Sequence, residues 1–214
     1  MKKVPSILVT MGALFILNIQ RPPVADNAIV TAPQTVTDAK GKTYKVNTAA
    51  STLGWVGTKP SGKHTGTITI KEGNLKADKG LLTGGSFTLD MANLAVTDLE
   101  AGKGKEKLEG HLKSPDFFDV AKNPTAAFAV TLVTPIAFTQ NVLLEGATHN
   151  ITGNLTLKGV TKSVTFPAKV AISDKAVAAT ADFNIDRTEW GVSYGADGKV
   201  AKEINLKLTL TANK

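Results

Sequence analysis

From about Thr43 onward the chain alternates apolar and polar residues with period two, segment after segment, and an all-β fold is the only economical way to satisfy that pattern. Ile68 and Ile70 face one way with Thr67, Thr69 and Lys71 opposite. Phe87, Leu89 and Met91 alternate with Ser86, Thr88 and Asp90, and Ile151, Leu155 and Leu157 alternate with Thr152, Asn154 and Thr156. Val164, Phe166, Val170 and Ile172 continue the pattern, followed by Phe183 and Ile185, then by Ile204, Leu206, Leu208 and Leu210. Each strand therefore has a dry face and a wet face. The wet faces carry Thr, Lys and Asn, so no second layer is expected to cover the sheet. Eight to ten strands joined by short connections predict an antiparallel meander, closed as a barrel or folded as a two-sheet sandwich.

Turn chemistry punctuates the strands at Lys71–Asn74, Lys158–Thr161 and Ala196–Lys199, where Gly sits beside Asn, Asp or Lys. The alternation fails between Ala101 and Asn123. There Leu108 and Leu112 are four apart, and Ser114-Pro115-Asp116 resembles an N-cap followed by Pro at the first helical position. One or two short helices are expected around 104–120. One or both of Phe117 and Phe118 are expected to tuck into the mouth of the fold.

Composition removes several classes of function. The chain has no cysteine, which excludes thiolate metal sites, disulfide scaffolds and cysteine nucleophiles. The formal charge is +7, yet only Arg21 and Arg187 are arginine and the lysines are spread through the chain. Nucleic-acid binding needs a basic stripe and makes heavy use of arginine forks, so it is not expected. His64, His111 and His149 have neither i, i+4 spacing nor a neighbouring carboxylate at ligand spacing, and no metal site is expected. The chain also lacks a Gly-x-Ser-x-Gly elbow, a phosphate loop and a dinucleotide fingerprint. Neither an enzyme nor a cofactor is expected.

The amino terminus reads as an address. Lys2 and Lys3 precede a mostly apolar run from Ile7 to Leu17, which is shorter than the roughly 20 residues a spanning helix needs. Residues 1–28 are expected to be a signal peptide and 29–42 a flexible leader, with 43–214 as the folded domain. Removal of the first 28 residues leaves 22 basic against 17 acidic residues. The protein is expected to be periplasmic or secreted, with no stable transmembrane segment after signal removal. Monomer and homodimer both remain open.

Three stretches resemble signatures of the YceI family of exported bacterial lipid-binding proteins: His111–Phe128, Leu155–Val170 and Ala181–Gly195. The segment Tyr44–Leu75 is similar to that family's opening strands. The resemblance implies a single antiparallel lipocalin-like β-barrel of about eight strands, whose lumen holds a long-chain isoprenoid or a similar amphiphile. The residues then expected to meet ligand, in the lumen or at its mouth, are Trp55, Ile68, Phe87, Leu89, His111, Phe117, Phe118, Phe128, Val130, Leu155, Phe166, Phe183, Ile185 and Arg187.

Gly57, Gly66, Gly153, Ala168, Ala179 and Ala181 fall in phase with the dry faces. Small inward residues leave a lumen; the competing reading is that the glycines mark bulges and corners. Arg187 is either a head-group contact or half of an ion pair with Asp186, Glu189 or Asp116. His111 is either a head-group contact or the polar edge of a short helix. The alternative function is an envelope interaction or stress protein with a packed barrel and an external binding face.

Overall fold

The computed structural model describes residues 25–137 and 142–214. Residues 1–24 of the expected signal peptide lie outside the described residues; its last four, 25–28, run into the first paired strands, so the expected boundary at 28 falls inside a bonded segment. The barrel is a ring of eight antiparallel positions. One position is shared by two short strands, β3 (Lys42–Val46) and β4 (Thr52–Lys59), separated by a 3-10 turn at Thr48–Ala50. Before them come β1 (Asp26–Asn27) and β2 (Ile29–Thr31), outside the ring. The ring continues through β5 (Gly62–Asp78), β6 (Leu81–Val96), β7 (Thr125–Pro135), β8 (His149–Leu157), β9 (Val160–Ile172), β10 (Ala176–Asp186) and β11 (Glu203–Asn213). Closure comes from β11. One edge pairs with β10 and the other with β4 and β3, which in turn pair with β5.

The alternation specifies the inward face, and bulges correct it where strands must bend. In β5 the buried residues run Gly66, Ile68 and Ile70, then change parity to Leu75 and Ala77. The register against β6 shifts between Ile70 and Glu72. Lys71–Asn74 is thus a bulged stretch inside one 17-residue strand, not the expected turn. An extra residue swaps the faces and bends the strand, which helps a long strand wrap around a barrel. The true reversal is at Lys79–Gly80, both with positive φ, between the paired residues Asp78 and Leu81. The Gly159 hairpin is where the sequence places it, with Leu157 opposite Val160.

One helix, α1 (Lys105–Lys113), lies in the connection between β6 and β7. Ser114 closes it instead of opening a second: its hydroxyl donates to the His111 carbonyl at 2.8 Å. The following residues form turns, and Phe117 and Phe118 are buried as anticipated. Residues 29–42, expected to be a flexible leader, are partly strand and lie along the barrel. Asn154 binds the Gln34 backbone in both directions, and Thr83 donates to the Lys40 carbonyl at 2.6 Å.

The inward glycines are mostly not voids. A Cβ at Gly66 would lie 2.3 Å from Cζ2 of Trp55, its cross-strand neighbour, and 2.0 Å from the Ala95 carbonyl oxygen. A Cβ at Gly153 would lie 2.4 Å from the Phe128 ring. These glycines accommodate rings from the adjacent strand. Of Gly57, Gly66 and Gly153, Gly57 near the mouth alone has open space at the Cβ position. Gly66→Ala is therefore expected to cost about 2–3 kcal/mol, since the blocking carbonyl is backbone and no rotamer change moves it. Gly57→Ala should stay within about 0.5 kcal/mol of wild type. Urea unfolding of the two variants measures both, and equal stabilities would refute this packing.

Candidate ligand-binding site

All eight ring positions contribute to a cavity of about 90 Å³ on the barrel axis, with an entirely apolar lining. Trp55, Ile68, Phe87, Leu89, Phe118, Phe128, Leu155, Phe166, Phe183 and Ile185 all line it. Leu155, Ile204 and Leu206 point inward yet are only half-buried, because their free surface faces this cavity. Below lies a smaller space of about 30 Å³ with Val130, Ala168, Ala179 and Ala181 in its wall. Phe87, Phe128 and Phe166 line both spaces. Their rings form a row with Phe183: centroids are 5.6 Å apart from Phe87 to Phe128 and again to Phe166, which stacks on Phe183 at 4.0 Å. This row is the floor of the lumen.

The upper end opens into a second cavity of about 230 Å³. Trp55, Leu112, Phe118 and Ile204 belong to both walls and form the neck. The mouth is chemically different from the lumen. Its wall carries Lys59, His64, His111 and Arg187, and no carboxylate. His111 and Phe117 meet edge-on with centroids 5.1 Å apart, and Tyr194 lies edge-on to His111 at 4.7 Å. His111 Nε2 is 3.4 Å from Asp116, and His64 Nδ1 is 2.9 Å from Asp98. Trp55 Nε1 and Thr58 Oγ1, both in residues lining the mouth, are buried without a hydrogen-bond partner. Buried polar atoms in this condition are destabilising until something supplies the missing bond.

Arg187 fits neither expected role. It starts a 3-10 turn (Arg187–Trp190) at the end of β10 and is 1% exposed. Its Nε, Nη1 and Nη2 donate to the carbonyls of Ala201, Val192 and Val200 at 3.0, 2.5 and 3.1 Å, and its guanidinium lies 5.8 Å over the Phe117 ring. Among the described residues no carboxylate comes within ion-pair distance of it. Burial lowers its pKa, against the opposing pull of Asp186. Arg187 is a clamp on the loop between Gly191 and Ala201, and it holds Tyr194 over His111. Carbonyl acceptors on a folded loop leave no trace in spacing, so sequence reasoning could not find them.

The fourteen expected residues thus divide into ten in the lumen, three only at the mouth (His111, Phe117, Arg187) and Val130 below the floor. The residues missing from that set include Leu53, Leu206 and Leu208, whose alternation marks them as inward, and Tyr194, which no periodicity marks. Helix α1 is fixed across the mouth by Glu109, which accepts from the Val96 amide at 2.8 Å and pairs with Lys105 at 2.9 Å. The Val96 amide and Lys105 hold the Glu109 carboxyl below its usual range. Burial would raise Asp98, but the Thr65 amide and His64 outweigh it and also hold that carboxyl low.

A single-layer antiparallel barrel with an apolar lumen, closed by a phenylalanine floor and opening through a polar mouth, defines a lipocalin-like protein. The YceI-like domain family matches residues 44–212, and the chain belongs to it. A UPF0312 protein of Pseudomonas aeruginosa (strain LESB58) is 40% identical over 105 residues, which are 49% of this chain and 44% of that protein. Protein YceI of Salmonella arizonae is 36% identical over an equal length. The chain thus spans less than half the length of the curated relatives it matches. Among solved structures, Burkholderia cenocepacia BcnA aligns with TM-score 0.63 at 23% identity, covering 78% of this chain and 99% of that one. A polyisoprenoid-binding domain from Saccharophagus degradans aligns with TM-score 0.59 at 14% identity, covering 79% and 97%. At these identities the structural likeness supports the fold.

Two predictions follow from the mouth. Arg187→Ala should destabilise the protein by about 3 kcal/mol or more, because charged hydrogen bonds contribute about 1.5–3 kcal/mol each and three carbonyls lose their donor. Thermal unfolding and proteolysis between Gly191 and Ala201 would detect this; unchanged values would refute the clamp. Asp98 and Glu109 have lowered folded pKa values, so their support is complete above the ordinary carboxylate range of about 4 and is lost as pH falls through the lower folded values. Glu109→Gln should flatten the fall in stability below about pH 4, and an unaltered acid limb would contradict the assignment.

Proposed function

We propose that this protein binds a long-chain isoprenoid or similar amphiphile non-covalently, as a carrier or reservoir, with the tail in the lumen and the polar end at the mouth. The observation that carries the reading is the change of chemistry along one axis: a lumen wall without polar surface leads through a neck into a mouth lined by Lys59, His64 and His111. An aliphatic chain is favoured in the lumen at about 0.8 kcal/mol per buried methylene and needs no directional contact. A neighbour in fold is described as a polyisoprenoid-binding domain, which supports this class of ligand.

The amino-terminal lysines and apolar run support an exported, periplasmic or secreted protein. The half-buried Leu155, Ile204 and Leu206 favour a hollow barrel over the packed alternative.

Organic extraction of the purified protein, followed by mass spectrometry, should yield a long-chain molecule in near-stoichiometric amount. Leu206→Trp should fill the cavity, retain the fold by circular dichroism and lower ligand content by at least tenfold. Equal lipid content in the variant, or none in the wild type together with no affinity for prenyl chains, would refute the proposal.

A further inference from the structure

The barrel wall is not sealed equally all round. β9 and β10 pair only near their hairpin, from Val177 opposite Ile172 to Thr180 opposite Lys169. Toward the mouth the two strands have no ladder between them, and the gap is filled by residues 26–31. Asp26 and Asn27 run parallel to Phe183 and Asn184 of β10. The Ala28 amide donates to the Asn184 carbonyl at 2.8 Å. Ile29, Val30 and Thr31 then pair antiparallel with Thr165, Val164 and Ser163 of β9. One extended run therefore bonds first to one side of the gap and then to the other.

This strap alternates like a barrel strand, but its seat is shallow. Ala28 and Val30 pack against the core, whereas Ile29, the largest apolar residue of the strap, is 65% exposed. Its ladder has two residue pairs on β10 and three on β9, against eleven between β10 and β11. Its lower end is held by the Asp26 carboxylate, which accepts from the Leu143 and Leu144 amides at 2.9–3.1 Å on an exposed loop. The strands it separates carry Val164, Phe166, Phe183 and Ile185 of the lumen wall. Little apolar surface secures the strap, yet its departure uncovers two unpaired strand edges beside the lumen.

We propose that residues 26–31 act as a detachable ninth stave that gates a lateral opening between β9 and β10. With the strap seated, the wall is closed; with it lifted, a long-chain molecule enters or leaves sideways without threading the neck at Trp55 and Phe118. The ligand part of this proposal rests on the lipid-binding reading above, and the strap requires that an exported chain be cleaved before Asp26, not at the expected boundary of residue 28.

The chain has no cysteine, so an Ile29→Cys/Thr165→Cys pair introduces the sole disulfide. These residues are opposite one another in register, at a spacing compatible with a disulfide. Stopped-flow uptake of cis-parinaric acid should slow at least tenfold in the oxidised protein and recover with dithiothreitol, while equilibrium affinity changes less than threefold. Equal rates in both states would overturn the gate. If wild-type protein takes up no parinaric acid, the lipid reading fails on its own, and hydrogen exchange then decides the strap without any ligand. The Ala28 amide should exchange at least a hundredfold faster than amides of the β10–β11 ladder; equal protection would overturn a detachable strap.

Discussion

The lumen depends on β11 having both edges paired. A single-layer sheet has nothing outside itself against which to bury its apolar face, so it must close or leave that face in water. β11 accepts β10 along eleven residue pairs and gives its other edge to β4 and β3. The register sets a continuous inward row in which Phe183 lies opposite Leu206, Leu206 opposite Trp55, and Trp55 opposite Gly66. A slip of one residue would turn this row outward. The large side chains and the glycine in that row are therefore one device: the ring of Trp55 occupies the space that a side chain at residue 66 would need.

The mouth is built from the longest connections, and each is fastened by polar contacts that are at least partly buried. Glu109 ties α1 to the end of β6, while Arg187 ties the loop after β10 to itself through three carbonyls. The consequence is a semi-rigid aromatic cluster of His111, Phe117 and Tyr194 above an apolar neck. Rigid lumen walls with a separately fastened rim allow the tail site and the polar-end site to differ in chemistry. That division is what an amphiphile requires.

Much of the barrel was legible in the chain because period two is a direct record of which face is dry. Phe87, Leu89, Phe166, Phe183 and Ile185 could be assigned to the interior from alternation alone, and they line the cavity. The legible part ends where geometry inserts a residue. The parity change after Ile70 looks like a turn in sequence, although it is a bulge within β5. Ser114-Pro115-Asp116 has the residue types of a helix start, but the hydroxyl of Ser114 closes the helix before it. The stretch from Ala32 to Lys42 has too few apolar residues to record which face it presents, and the bonds that hold it, from Asn154 and Thr83, have no signature in its own sequence. Arg187 was visible as a singular residue, while its partners, three backbone carbonyls, have no sequence signature.

The central claim is that the barrel is hollow and holds an extended apolar chain. A crystal structure of the protein purified from its natural source without delipidation tests it most directly. The account predicts tubular density running from the Phe87–Phe128–Phe166 floor past Leu206 to the neck at Trp55 and Phe118, with a bulkier end among His64, His111 and Tyr194. A lumen closed by inward rotation of its own side chains, with no density along the axis, would contradict it.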